Sequence, residues 1–110
     1  MSLNESLDRV LTRYKELESL MSEGGAGGDK IAKLGKEYSD LGPVVEAVKT
    51  YRKAQADAQG MADLLADPAT DRDMRELAEE EFQELKETLP ELERQVQLML
   101  LPKDEADEKN

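Results

Sequence analysis

A chain of 110 residues with 37% charged side chains, 4% aromatics and no tryptophan suits one domain, built from helices packed along seams of Leu, Val, Ile, Met and Ala rather than around a thick sheet core. It has no cysteine, which excludes disulfides and thiol chemistry, and no histidine, which removes the commonest general base and metal ligand. The net charge of −11 is uneven: residues 1–60 hold nine Lys/Arg against ten Asp/Glu, residues 61–110 six against sixteen, so the second half repels phosphate and suits basic proteins or simple solvation.

The first helix is predicted over about 2–22. Ser2 with Glu5 fits a capping box, and Leu3, Leu7, Val10, Leu11, Tyr14, Leu17 and Met21 recur on one face at helical spacing. Gly24-Gly25-Ala26-Gly27-Gly28 then reads as a flexible linker. A short second helix, 29–41, is predicted with Asp29 as its cap and Ile31, Leu34, Tyr38 and Leu41 as its seam, punctuated by Gly42-Pro43. Pro43 is placed as the first residue of a third helix, 43–66, carrying Val44, Val48, Tyr51, Ala58, Met61 and Leu65.

Asp67-Pro68-Ala69-Thr70 makes the next break, and Thr70 with Asp73 is read as the start of a fourth helix over 70–101. Its seam of Ala78, Phe82, Leu85, Leu89, Leu92, Val96 and Met99 alternates steps of three and four, as in a coiled coil. The seam stays in register past Pro90, so that proline is expected to bend the helix rather than end it. The short loop between the third and fourth helices predicts an antiparallel hairpin whose open side the first two helices cover. The expected fold is therefore all-α, an elongated antiparallel bundle or coiled-coil hairpin with additional N-terminal helices. Pro102 stops the last helix, and 102–110 reads as an acidic connector to further domains, so that 1–101 is expected to be one piece of a longer protein.

No motif carries catalytic chemistry. Gly25 and Gly27 fit the first two glycines of a dinucleotide fingerprint, but Lys30 stands at the third, and Gly35-Lys36-Glu37 lacks the Ser/Thr of a phosphate loop. Glu79, Glu80, Glu81, Glu84 and Glu87 supply carboxylates without the convergent loop that calcium requires, so they read as a solvated face. No catalytic, cofactor, metal or codon-reading residue is assigned, and no cofactor is expected. The chain has no basic leader followed by an apolar run and no stretch near the roughly 20 apolar residues of a membrane span. A cytoplasmic protein without membrane contact is expected.

Leu89-Pro90-Glu91-Leu92-Glu93, then Leu98-Met99-Leu100-Leu101-Pro102-Lys103-Asp104 and Asp107-Glu108-Lys109-Asn110, resemble the N-terminal domain of the bacterial peptide chain release factor 1 family. Glu37-Tyr38-Ser39-Asp40-Leu41 and Leu64-Leu65-Ala66-Asp67-Pro68 are similar to that family as well. The resemblance implies translation termination: the full factor recognises UAA and UAG on the ribosome and triggers peptidyl-tRNA hydrolysis. It places the hydrolytic Gly-Gly-Gln and the codon-reading Pro-Xaa-Thr in later domains. Here Gly24-Gly25 is followed by Ala26, and Pro68-Ala69-Thr70 sits among aspartates before a helix cap, where it reads as a loop. The family's first domain lies near ribosomal protein L11 at the stalk base of the large subunit, so this segment is expected to orient the factor there, without catalysis and without gripping nucleic acid on its own. The alternative reading is a free-standing coiled-coil scaffold that homodimerises through the seam from Ala78 to Met99.

Overall fold

The computed structural model describes residues 2–24 and 27–101, which form three helices: α1 (Leu3–Glu23), α2 (Gly28–Ala66) and α3 (Arg72–Leu100). Residues 25 and 26 of the expected linker and the whole of the expected 102–110 connector lie outside the described residues.

The capping box of α1 is present. The Glu5 amide donates to Ser2 Oγ at 3.2 Å and the Ser2 amide to Glu5 Oε1 at 3.1 Å, satisfying two amides that the first helical turn leaves open. α1 ends where Gly24 adopts φ +69°, a left-handed conformation that glycine takes without steric cost.

The separate second and third helices expected from Gly42-Pro43 are one helix of 39 residues. Pro43 denies an N–H to the Ser39 carbonyl, but Pro43 is exposed, where water can serve that group. Buried positions continue in register beyond it at Val45 and Val48, so ending the helix there would strip α1 of the surface it packs on. Asp29 is not the cap of this helix either. Gly27 holds the cap position without a side-chain bond, and Asp29 lies in the first turn, where its charge complements the helix dipole.

At about 1.5 Å per residue α2 is about 58 Å long, and the molecule measures 61 × 40 × 22 Å; one helix is its spine. α1 and α3 both pack on α2. They overlap in the middle, where Leu7, Val48, Tyr51 and Val96 form the buried cluster, with Leu3, Val10, Leu11, Val44, Leu89, Leu92 and Leu100 packed against it. Only α1 covers the α2–α3 hairpin; residues 28–41 prolong the spine past it. Two paired arms result: a first arm of α1 and α2 around residues 12–41, and a second arm of α2 and α3 around residues 54–88.

α3 starts two residues later than the expected 70, and its cap is one residue beyond Thr70. Asp71 caps it, accepting from the Met74 amide at 2.9 Å, while the Thr70 hydroxyl donates to the Leu64 carbonyl at 2.7 Å. Arg75 closes the turn by donating to the carbonyls of Leu65 (2.7 Å), Asp67 (3.0 Å) and Thr70 (3.4 Å), which supplies partners and positive charge to the carbonyl end of α2. Pro90 lies inside α3 and does not end it. The seam of α3 faces α2 through Ala78 and Val96, both almost fully buried. That seam is thus used within the chain, which leaves the homodimeric scaffold without its proposed interface. Its last residue differs from expectation: Leu100 joins the core while Met99 is 41% exposed.

Candidate functional site

Two shallow open depressions lie on the first arm, one beside Asp8, Arg9, Thr12, Arg13 and Glu16, the other beside Glu18, Met21, Ser22 and Tyr38. The two arms of the molecule present different surfaces.

The first arm is fastened by polar and aromatic contacts between α1 and α2. Arg13 meets Glu37 in a two-pronged pair, Nε to Oε2 at 2.7 Å and NH2 to Oε1 at 2.8 Å, and donates NH1 to Glu16 at 2.9 Å. The hydrogen-bonded guanidinium holds the Glu37 carboxyl below the usual range against the opposing effect of partial burial, and Glu37 followed by Glu16 raises Arg13 in turn. One residue on, the rings of Tyr14 and Tyr38 stack with centroids 4.4 Å apart, and the Tyr38 hydroxyl donates to Glu18 at 2.9 Å. Tyr14 and Glu18 push the Tyr38 phenol above its ordinary range. Further along, Arg52 reaches from α2 to Asp8 (3.0 Å) and to the Asn4 carbonyl (3.3 Å). Sequence reading placed Tyr14 and Tyr38 on their seams but missed the Arg13–Glu37 pair, because its partners lie 24 residues apart on separate helices and no local spacing marks them.

The second arm is acidic outside, and its apolar side combines buried alanines with the half-buried Met61, Leu65, Phe82 and Leu85. Residues 57–87 carry eleven Asp/Glu against three Lys/Arg, while Ala58 and Ala78 are buried. Glu79, Glu80, Glu81, Glu84 and Glu87 are all exposed, and among the described residues no group of three or more acidic side chains converges as a metal ion would need. Pro68-Ala69-Thr70 is the turn between α2 and α3, its threonine bonded to the end of α2. Sequence reading also missed Met74 and Leu77, which are 45% and 53% exposed at the start of α3.

Where α3 meets the core, Tyr51 is buried and its phenol is pushed up by burial first and by Glu93 second, while Gln55 donates to its oxygen at 3.1 Å. No helix among the described residues is long and apolar enough to cross a membrane.

The fold thus defines an all-α, three-helix scaffold. The profile of the PCRF domain matches residues 10–110, and the chain belongs to that family. It is 45% identical over 109 residues to the peptide chain release factor 1 of Rhodospirillum rubrum, covering 99% of this chain and 30% of that protein. It is 50% identical over 103 residues to that of Ruegeria pomeroyi, covering 94% and 28%, and 39% identical over 109 residues to that of Rickettsia bellii, covering 99% and 30%. The chain spans about 30% of the length of these curated relatives. No solved structure matches it. The release-factor resemblance read from the last helix and tail is borne out.

Proposed function

We propose that this chain is the non-catalytic N-terminal domain of a bacterial class I release factor, with residues 102–110 leading to the domains that do the chemistry. In this reading the domain contacts the stalk base of the large ribosomal subunit near ribosomal protein L11 and orients the factor. Other domains recognise UAA or UAG and promote peptidyl-tRNA hydrolysis in the cytoplasm. The observation that carries the reading is that relatives called peptide chain release factor 1 match nearly the whole chain, while it makes up only about 30% of each. The composition supports it: the chain has neither histidine nor cysteine, and no Gly-Gly-Gln.

An orienting domain changes how often the factor lands productively, not the chemical step. Peptidyl-tRNA hydrolysis on ribosomes halted at a stop codon tests this. Residues 1–110 alone should release no peptide, and a full factor lacking residues 1–101 should show a raised KM with kcat largely kept. Release by the 110 residues, or an unchanged KM after the deletion, overturns the proposal.

A further inference from the structure

We propose that the exposed face of the first two turns of α3, centred on Met74 and Leu77, is this domain's docking surface, and that its occupant is a basic protein surface. The inference rests on the reading that the domain contacts the ribosome, and narrows that contact to a ribosomal protein rather than ribosomal RNA.

Met74 and Leu77 stand three residues apart, so they adjoin on one helix face. They are 45% and 53% exposed. Their neighbours Arg75 and Ala78 are the ones committed inward, Arg75 to the end of α2 and Ala78 to the buried seam. The described chain leaves about half of each residue's surface open.

Around it the charges have one sign. One turn to either side of Leu77 stand Asp73, Glu80 and Glu81, with Glu84 a turn further, all exposed. None of these four carboxylates has an ion pair among the described residues. The basic groups of the same region are engaged elsewhere: Arg75 with carbonyls, Arg72 with Glu76 at 3.7 Å, and Lys86 over the Phe82 ring at 5.5 Å.

This combination selects its partner. Phosphate is repelled by the collar of carboxylates. A wholly apolar partner would strip water from those carboxylates and return no counter-charge. A protein face with an apolar centre and Lys/Arg around it meets both demands, with Met74 and Leu77 as anchors inside a charged rim. The other exposed apolar group includes Leu98 and Met99, which have no acidic side chain within one helical turn among the described residues; Arg94 stands one turn before Leu98. It serves as an internal control.

The test uses the 110-residue chain and purified bacterial large ribosomal subunits. A photo-reactive p-benzoylphenylalanine at position 77 should cross-link on irradiation to a basic ribosomal protein, identified by mass spectrometry. Met74→Asp with Leu77→Asp should weaken binding to the subunits by about tenfold or more, the loss expected for interface anchors, with helicity by circular dichroism unchanged. Leu98→Asp should leave binding within about twofold, as for a side chain away from the hot spot. Cross-linking to RNA or no cross-link from position 77, unchanged binding of the double variant, or an equal loss in Leu98→Asp overturns the docking surface. If the chain binds subunits but cross-links only from other positions, this inference alone fails; if it does not bind them at all, the ribosome-contacting reading fails with it.

Discussion

In the first arm, α1 buries Leu17 completely, and the Arg13–Glu37 pair, the Tyr14–Tyr38 stack and the Tyr38–Glu18 bond, all at least partly open to water, join it to α2. In the second arm, α2 and α3 close over Ala58 and Ala78, and the charged residues are left outside as a net −8 shell over residues 57–87. Both arms thus bury apolar side chains, and the first adds an interhelical ion pair and an aromatic stack. Polar fastening responds to salt and pH, whereas an apolar seam responds to volume. The difference suits a domain whose acidic end faces outward for a partner, because a close-packed seam can carry unpaired carboxylates on its outer face without using them for cohesion.

The largest effect should come where the arms meet. Leu7 is fully buried in the central cluster, and Leu7→Ala should cost about 2–5 kcal/mol through lost transfer energy and the cavity left behind. Chemical denaturation should then show both arms losing stability together. If only α1 detaches, the centre does not couple them.

A smaller effect should be confined to the second arm. Ala78 is 1% exposed, and Ala78→Leu should overpack the seam at a cost of about 1–3 kcal/mol. Hydrogen exchange should speed up most in the first half of α3 and least in the first arm.

The smallest effects should have opposite signs in the two arms. Added salt screens the Arg13–Glu37 attraction and also the mutual repulsion of Glu79, Glu80, Glu81 and Glu84. Exchange should therefore quicken modestly in the second half of α1 and slow in the first half of α3. The pH dependence follows the same division. Because the Glu37 carboxyl is held below its ordinary value, its contribution is present above the unfolded value of about 4.3 and is lost as pH falls through the lower folded value. Glu37→Gln should remove that acid dependence from the first arm while leaving the second unchanged; the same exchange profile at pH 3 and pH 7 in the variant checks it.

Much of this molecule was legible in the chain because it depends on residues close in sequence. The Ser2–Glu5 box, the glycine stop of α1, most of the seams of α1 and α3, the turn at Asp67–Thr70 and the continuation of α3 beyond Pro90 are local matters of capping, spacing and turn chemistry. So was the absence of histidine and cysteine. Tertiary structure decided the rest. Gly42-Pro43 reads as a break, yet α1 lies along both sides of it and burial at Val45 and Val48 keeps the helix whole. The Arg13–Glu37 and Arg75 contacts join residues on different helices or across a turn, where periodicity carries no information. Whether Met74 and Leu77 would be core or surface turned on which side of α3 met α2, and that is fixed only when the spine has taken its place between both partners.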